Sequence, residues 1–549
     1  MNFLPTKKDF WFLPLGGAGE IGMNLNLFGH DQEWLMVDLG VTFHDRWGIE
    51  IITPDPSFIL PYQKNLKGLV LTHAHEDHVG AVPHLWPFLR CPIYATPFTA
   101  AIVRQKIADQ LWAEQVEIIE IPLSGKATIG TFDIEFITLT HSIPEPNALA
   151  ITTPLGTVLH TGDWKIDPQP LVGEPTNFTR LQELGEQGIL AMICDSTNAL
   201  SEGTSGSEQD VRQELNRLIG DFPNQRITVA CFASNIARLE TAALAAADYG
   251  RKVCLLGRSL YRMVAAAQYA GYLKNLAPFI SDKEAMLLPR DQVLFIATGS
   301  QGEAKAALAR IAYQQHPIVK FGKHDVVFFS SRVIPGNERS IGLLQNHLIQ
   351  EGVKVITSHE KDIHVSGHPA REELKQMYEW VRPQLAIPVH GEARHLQEHA
   401  NLAKAQGVPQ VIVPQNGSLI QMSPPTAEII AQVEVGRWGL DGDRMVPMNS
   451  LMLKERGKLA VQGIVFITLM IDYAGQLTRL PQFNMLGVAQ AGPEYEILER
   501  ELNRLVRDIQ LPDFKDEAAY KDGLKAAVRQ CINQHIGKKP LIELHILKG

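Results

Sequence analysis

The run His73-Ala74-His75-Glu76-Asp77-His78 places four potential metal ligands within six residues, directly behind the apolar segment Leu69-Val70-Leu71. Side chains alternate along an extended chain, so His73 and His75 share one side. The turn that follows lets Asp77 and His78 swing to a second position nearby. Imidazole and carboxylate donors without a thiolate suit zinc, or manganese where oxygen ligands weigh more. Four ligands do not fill two metal sites. His141, in Leu-Thr-His-Ser-Ile-Pro, and Asp163, in His-Thr-Gly-Asp-Trp-Lys, each follow a strand-like run, where loop residues converge on a site. An isolated Asp or His there is ordinarily a turn former; the shared position relative to the histidine run argues for ligation instead. Asp163 is expected to be the carboxylate that bridges two cations ~3.5–4 Å apart.

A second group of residues could hold a substrate. His364-Val365-Ser366-Gly367-His368 offers a hydroxyl, backbone N–H groups exposed at a glycine and two imidazoles, a combination that suits a phosphate. A helix cap is the alternative, since Ala370-Arg371-Glu372-Glu373 follows. Ser234 and Asn235 precede a helical run and either cap it or bind phosphate. Arg258 and Arg332 are candidates for phosphate or base contacts. His84, His395 and His399 read as helix-face residues. Asp441 and Asp443, with Gly48 and Glu50, could form a second cation site of structural type, for calcium or another cation; an acidic turn is the commoner explanation. Gly17-Ala-Gly-Glu-Ile-Gly22 satisfies the spacing of a dinucleotide loop. The alternating Met-Asn-Leu-Asn-Leu-Phe that follows predicts a strand, whereas such a loop must open a helix.

The elements that must position these residues change rhythm along the chain. Strands are predicted at 11–15, 24–28, 34–37, 68–71, 93–95, 116–121, 132–139, 148–153 and 158–160, with one helix near 97–110. This is closer to a packed pair of sheets than to a doubly wound fold. Beyond residue 188, strands at 189–194, 226–231, 252–256, 292–297, 325–329, 353–356 and 385–388 alternate with helices at 207–220, 235–247, 260–270, 303–312, 339–350, 370–381 and 394–405, which predicts βαβ units. An irregular stretch follows residue 421. A small α/β tail then has an apolar run at 459–471, helices near 494–507 and 516–535, and a last strand at 541–547.

Bulk properties fit this division. The chain has 549 residues, too many for one ordinary core, with 45% hydrophobic and 20% charged residues. No uninterrupted apolar stretch is long enough for a membrane helix, and the first residues lack the order of a signal peptide. The five cysteines are scattered without a CxxC pair, which argues against a disulfide framework and for the cytoplasm. A net charge of −9 argues mildly against nonspecific coating of nucleic acid, although a local basic groove can coexist with an acidic exterior.

The ordered set HxHxDH, then His141, then Gly162-Asp163 resembles the metallo-β-lactamase fold, with Asp38 where that family has an aspartate behind the metal ligands. Plain members supply one more histidine from the same domain. This chain has none between His160 and His316, so a long insertion must separate the last ligand from the rest. That layout resembles the β-CASP branch, whose members cleave nucleic acids. Asp195 in Cys-Asp-Ser-Thr-Asn looks like its acidic marker, His368 like its second and His390 in Pro-Val-His-Gly-Glu like its third. Histidine at the third marker tilts the resemblance toward RNA rather than DNA. Closer still, Pro14-Leu-Gly-Gly-Ala-Gly-Glu-Ile-Gly-Met-Asn, Phe232-Ala-Ser-Asn-Ile-Ala-Arg, Thr298-Gly-Ser-Gln-Gly-Glu, His364-Val-Ser-Gly-His and Pro388-Val-His-Gly-Glu resemble the bacterial ribonuclease J family, up to about residue 420.

The resemblance implies an α/β chain: a metallo-β-lactamase αββα sandwich at 1–188 and 357–425, an inserted β-CASP α/β domain at 189–356, a linker at 426–458 and a small C-terminal α/β domain at 459–549. It implies two divalent cations, zinc or manganese. His73, His75 and His141 would hold one, Asp77, His78 and His390 the other, with Asp163 between them. Asp77 would also orient or deprotonate the nucleophile, His368 would protonate the leaving oxygen and Asp195 would orient His368. Residues 364–368 become the pocket for an RNA phosphate. The implied activity is a 5′-to-3′ exoribonuclease preferring single-stranded, 5′-monophosphorylated RNA, with endonuclease activity, in RNA turnover and in rRNA and mRNA maturation. The implied partners are RNA, a second copy of the chain or a tetramer, and RNA-degradation proteins such as a helicase. Three rivals stand beside it. A thioester or lactone hydrolase would not need the insertion, a DNA nuclease would carry valine at 390, and a non-catalytic RNA-binding subunit would have lost ligands.

Overall fold

The computed structural model describes residues 3–423, 427–473, 476–509 and 517–549. The predicted boundary at 425/426 and the predicted helix start at Asp516 lie outside these. The described chain forms two compact units, residues 1–42 with 52–436, and residues 43–51 with 437–549.

Two sheets face each other in the first unit. Among the described residues, one runs in the order Glu428–Gln432, Ser418–Gln421, Trp11–Gly16, Leu25–His30, Glu33–Val37, Leu66–Val70, Ile93–Ala95, Ile118–Glu120. The other runs Lys126–Ile129, Phe132–Thr138, Asn147–Thr153, Gly156–His160, Ala191–Asp195, Leu385–Val389, Gln410–Val411. The period-2 pattern divides the second sheet cleanly. Ile134, Phe136, Leu149, Ile151, Val158, Ile193 and Ile387 point inward and pack with Phe12, Phe28, Leu35 and Val70 of the first sheet. Their neighbours Ile137, Ala148, Ala150, Leu159, Met192 and Ala386 point outward, beneath Leu181, Leu184, Leu374, Met377 and Val381 of the helices Phe178–Gln187 and Arg371–Val381. A sheet buried on both faces must be apolar on both, which is why these strands read as continuous hydrophobic runs.

The strand Ala191–Asp195 corrects one expectation. It does not open the insertion: it pairs in parallel with Gly156–His160 on one side and Leu385–Val389 on the other. The inserted sheet consists of Lys252–Leu256, Val293–Ala297, Arg226–Ala230, Asp325–Phe329 and Lys354–Thr357 in that order, all parallel, around its own core. Position alone could not separate 189–194 from the strands after it, because all are apolar runs followed by a helix. The expected linker at 426–458 is also overturned. Glu428–Gln432 pairs with Ser418–Gln421 in the first sheet. Arg437–Asp441, Arg444–Pro447 and the helix Leu451–Gln462 belong with the second unit.

Strand direction gathers the site. Gly156–His160, Ala191–Asp195 and Leu385–Val389 are adjacent and parallel, so the residues at or just after their C-terminal ends, Asp163, Asp195 and His390, emerge at one edge. Phe132–Thr138, two antiparallel pairings away, runs the same way and delivers His141. In the facing sheet the parallel neighbours Glu33–Val37 and Leu66–Val70 deliver Asp38 and His73. Gly40 shows how tightly the two segments meet: a Cβ there would lie 1.6 Å from the carbonyl oxygen of Asp77.

In the second unit Gln482–Leu486, Ile464–Ile471 and Leu541–Lys548 form a sheet covered by Pro493–Asp508 and Glu517–Ile536. Within the predicted 459–471 run, the strand begins only at Ile464, because Leu459 still belongs to the helix ending at Gln462. No described helix is long and apolar enough to cross a membrane.

Candidate metal centre

His73 and His78 are buried, as are Asp163, Asp195 and His390, at 0–3% exposure each. Each imidazole has one ring nitrogen tied to the scaffold and the other turned inward. His78 Nδ1 pairs with Asp38 Oδ2 at 2.7 Å, and Asp38 also accepts the Thr72 N–H at 2.8 Å. Asp38 has a left-handed backbone, φ 63°, which turns its carboxylate back under His78. His73 Nδ1 meets Thr72 Oγ1 at 3.0 Å, and His141 Nδ1 meets the Gly367 carbonyl. A Cβ on Gly367 would approach His141 Cε1 to 2.8 Å, so the loop needs glycine there. Such partners fix the ring and the tautomer, leaving the far nitrogen as a ligand.

Those inward atoms form two overlapping groups. His73 Nε2 and His141 Nε2 lie 3.1 and 3.0 Å from His75 Nδ1, and both face Asp163 Oδ2 at 3.8 and 3.9 Å. His78 Nε2 lies 3.2 Å from Asp163 Oδ2 and 3.7 Å from Asp77 Oδ2, while His390 Nε2 lies 3.2 Å from Asp77 Oδ2. Within each set, His73/His75/His141/Asp163 and Asp77/His78/Asp163/His390, the ligand atoms fall within 4.8 Å of one another. Bare imidazoles this close are unfavourable as cations and acceptable as ligands. Burial, then His78, holds His73 well below the ordinary histidine range; burial lowers His75 to about 4 and, with His75, lowers His141. In the first group these are neutral imidazoles beside a carboxylate held ionised, the donor chemistry of a divalent-cation site. In the second, burial opposes a charge on His78 and His390, but Asp163 leads the groups that raise both. Asp163 and Asp77 are both held ionised: burial opposes their charge, but His390 and His78 respectively lead the groups that hold them low.

A third group, Asp163, Asp195, His368 and His390, adjoins the first two. His368 Nδ1 pairs with Asp195 Oδ2 at 2.8 Å. Burial works against a charge on this imidazole, but Asp195 and then Asp163 raise its pKa above the ordinary value.

The 364–368 loop is built into this framework. Asn198 donates to Ser366 Oγ at 2.7 Å and to the His368 carbonyl at 3.1 Å. Arg332 donates to Asn198 Oδ1 at 3.3 Å. Val365 faces Gly206, and His364 Nδ1 is buried without a hydrogen-bond partner. Burial and then Arg238 push His364 down to about 3, so this ring is neutral. Arg238, fully buried, donates to the Ile363 and Ser330 carbonyls and pairs with Glu208, which anchors the loop to the inserted domain. Ser234 lies against the first metal group: its Oγ is 3.2 Å from His75 Nε2.

Other expected residues stand elsewhere. Asn235 takes the capping alternative: its Oδ1 caps the helix Ile236–Asp248 by accepting the Arg238 N–H at 2.8 Å, and its amide donates to Glu208. Arg258 is exposed in the first turn of Arg258–Tyr269. At the turn expected to hold a structural cation with Gly48, Glu50 and Asp443, the acid with a described partner is Asp441. It pairs with Arg456, whose guanidinium also donates to the Trp47 carbonyl. An arginine already supplies the positive charge there. His395 and His399 lie on Ala393–Ala405; His399 bridges Ser196 and Tyr378 in the core, and His84 lies in Val82–Leu89. Sequence reasoning missed Thr197 and Asn198, although both follow Asp195 directly. It also missed the Arg238–Glu208 pair, which no local signal reveals, because its partners are 30 residues apart.

Comparison with known proteins agrees with this geometry. Residues 35–176 match the family described as Beta-lactamase superfamily domain, and 224–348 match Ribonuclease J, beta-CASP domain. Residues 352–414 match Zn-dependent metallo-hydrolase RNA specificity domain, and 451–548 match Ribonuclease J C-terminal domain. Ribonuclease J of Sinorhizobium meliloti is 42% identical over 99% of this chain and 98% of its own length. Ribonuclease J of Corynebacterium glutamicum is 38% identical over 90% of this chain and 70% of its own. Ribonuclease J 1 of Streptococcus pyogenes is 38% identical, covering 87% and 86%. A crystal structure of a protein of unknown function from Enterococcus faecalis covers 75% of this chain and 100% of its own, with a TM-score of 0.53 at 16% identity, a likeness of fold.

Proposed function

The chain belongs to the ribonuclease J family and is a metal-dependent ribonuclease, and we propose that it degrades RNA from a 5′-monophosphorylated end, with endonucleolytic cleavage as a second activity of the same centre. The observation that carries this reading is the adjacency of three functions on one rim. Two metal-capable groups share Asp163, the His368–Asp195 pair lies beside them, and the loop of His364, Ser366 and Gly367 leads into that pair.

Two cations fit the donor set, one with His73, His75, His141 and Asp163, the other with Asp77, His78, His390 and Asp163. Five imidazoles among the ligands favour zinc over manganese. When bound, such ions supply positive charge for the phosphate and a water activated near neutral pH. The protein's residues do the rest. Asp77, with its second oxygen free of a structural role, orients the attacking water. His368, whose Nδ1 is taken by Asp195, offers Nε2 to protonate the departing 3′-oxygen as the P–O3′ bond breaks. Ser366, the Gly367 and His368 backbone and neutral His364 receive the phosphate of the RNA end, with Arg332 at its entrance and Ser234 close by. Neutral His364 is suited to hydrogen bonding there without adding charge.

Four of the five cysteines are buried and all are free thiols, which suits a reducing cytoplasm. The C-terminal unit is read as the element that pairs two copies of the chain into a homodimer or, by pairing of dimers, a tetramer. Association with a helicase or other RNA-degradation proteins and roles in rRNA and mRNA maturation belong to the same reading.

The test is direct. Purified protein is incubated with 5′-monophosphate and 5′-triphosphate forms of one single-stranded RNA, with and without chelator, beside matching DNA. Mononucleotides should be released from the monophosphate RNA, and chelator should stop the reaction. Equal cleavage of DNA, or equal exonucleolysis of triphosphate RNA, contradicts the reading.

A further inference from the structure

Thr197 stands where the second cation group and the proton-donor pair meet. Its Oγ1 lies 2.7 Å from Asp195 Oδ1, 3.1 Å from His390 Nδ1 and 3.2 Å from the His390 carbonyl. Asp195 Oδ2 is then the oxygen that meets His368 Nδ1, at 2.8 Å. We propose that the Thr197 hydroxyl is a positioning group that accepts the N–H of His390 and donates to Asp195, so that one side chain orients both the last metal ligand and His368. This rests on the reading of His390 as a ligand.

Counting protons fixes the direction of the chain. A neutral imidazole carries one N–H, and a nitrogen that ligates a metal cannot carry it. His390 Nε2 faces Asp77 at 3.2 Å within the second group, so the N–H is on Nδ1. Nδ1 has three oxygens within reach: Thr197 Oγ1 and Asp163 Oδ1 at 3.1 Å each, and Asp195 Oδ1 at 3.4 Å. Asp163 belongs to all three groups and its lone pairs are needed by the cations. Of the two acceptors left for His390, Thr197 Oγ1 is nearer than Asp195 Oδ1. Its single proton goes to the nearer oxygen, Asp195 Oδ1, in preference to the His390 carbonyl. Removing the hydroxyl leaves His390 to turn toward Asp195 itself, which draws that carboxylate from His368. Ligand rings whose outer partner is removed lose metal affinity by about 10–100-fold.

A purely local role is distinguishable. The Thr197 backbone N–H also donates to Asp195 Oδ1, at 2.8 Å, and holds the turn whatever side chain follows. Thr197→Val keeps the shape and that N–H and removes only the hydroxyl. Metal-free wild type, Thr197→Val, Thr197→Ser and His390→Ala proteins are titrated with zinc against a chromophoric chelator, and RNA kinetics are measured in parallel. Thr197→Val should lower affinity at one of two zinc sites by about 10–100-fold and lower kcat with KM for RNA unchanged, and Thr197→Ser should restore both. Thr197→Ala removes the same hydroxyl and replaces the valine protein should that not fold. Wild-type zinc affinity at both sites in the hydroxyl-free protein overturns the proposal, as does a serine protein as weak as the valine one. If His390→Ala loses a zinc site while Thr197→Val keeps both, the proposal alone fails. If His390→Ala keeps both, the reading of the ligand set fails with it.

Discussion

At the scale of single residues, the decisive fact about the centre is which nitrogen of each ring is free. Asp38, Thr72 and the Gly367 carbonyl hold the Nδ1 atoms of His78, His73 and His141, so that Nε2 points to the shared carboxylate. The ligand types and spacing in His73–His78 were legible because metal chemistry demands particular side chains in close order. The surrounding hydroxyls and amides were not. Thr197 and Asn198 look like any turn after a strand, and Asn235 reads equally as a cap or a phosphate contact until its partners Arg238 and Glu208 are seen. His368 is assigned to proton transfer because its Nδ1 is taken by Asp195. His368→Ala should then lower the single-turnover rate of RNA cleavage by roughly 10²–10⁴-fold, with a much smaller change in the dissociation constant for the same RNA. A matching loss of binding would make it a substrate anchor instead.

At the scale of elements, strand ends explain why residues far apart in the chain converge. Asp163, Asp195 and His390 follow three adjacent parallel strands, and a one-residue slip in that pairing would turn each of them to the opposite face. The runs of apolar residues announce those strands, but not their partners: the run 189–194 reads as part of the insertion because pairing is not written in local sequence. Arg238 fastens the inserted domain to the loop of the site by donating to the Ile363 carbonyl, and its buried ion pair with Glu208 holds it there. Burial disfavours the Glu208 charge, yet Arg238, then Lys165, hold its pKa below the ordinary glutamate value. A depressed pKa gives stability that is present above the unfolded value, ~4.3, and is lost as pH falls through the folded one. Glu208→Gln should therefore cost about 3–5 kcal/mol near neutral pH, since it strands a buried guanidinium. Chemical denaturation as a function of pH checks this: the gap between wild type and variant should narrow as pH falls below about 4. A gap independent of pH would remove the ion pair from the account.

At the scale of the whole molecule, the chain leaves the two-sheet core after Asp195 and returns to it at Leu385–Val389 to place His390. The length of that excursion was readable from the absence of histidine between His160 and His316, and the alternating rhythm showed that it was a folded α/β layer. The tail was less legible. Residues 43–51 join the C-terminal unit although the chain passes them early, and the expected linker proved to contain strands and a helix. Non-local assembly of this kind leaves no periodic trace.

If the shared metal-capable cluster performs the proposed RNA hydrolysis, Asp77 would link ligand and nucleophile in it. Purified, zinc-loaded Asp77→Ala and wild-type proteins, matched for folding by circular dichroism, are compared for turnover of 5′-monophosphorylated RNA. The account predicts that cleavage is lost while the fold is kept; ordinary turnover by the folded Asp77→Ala protein would contradict it.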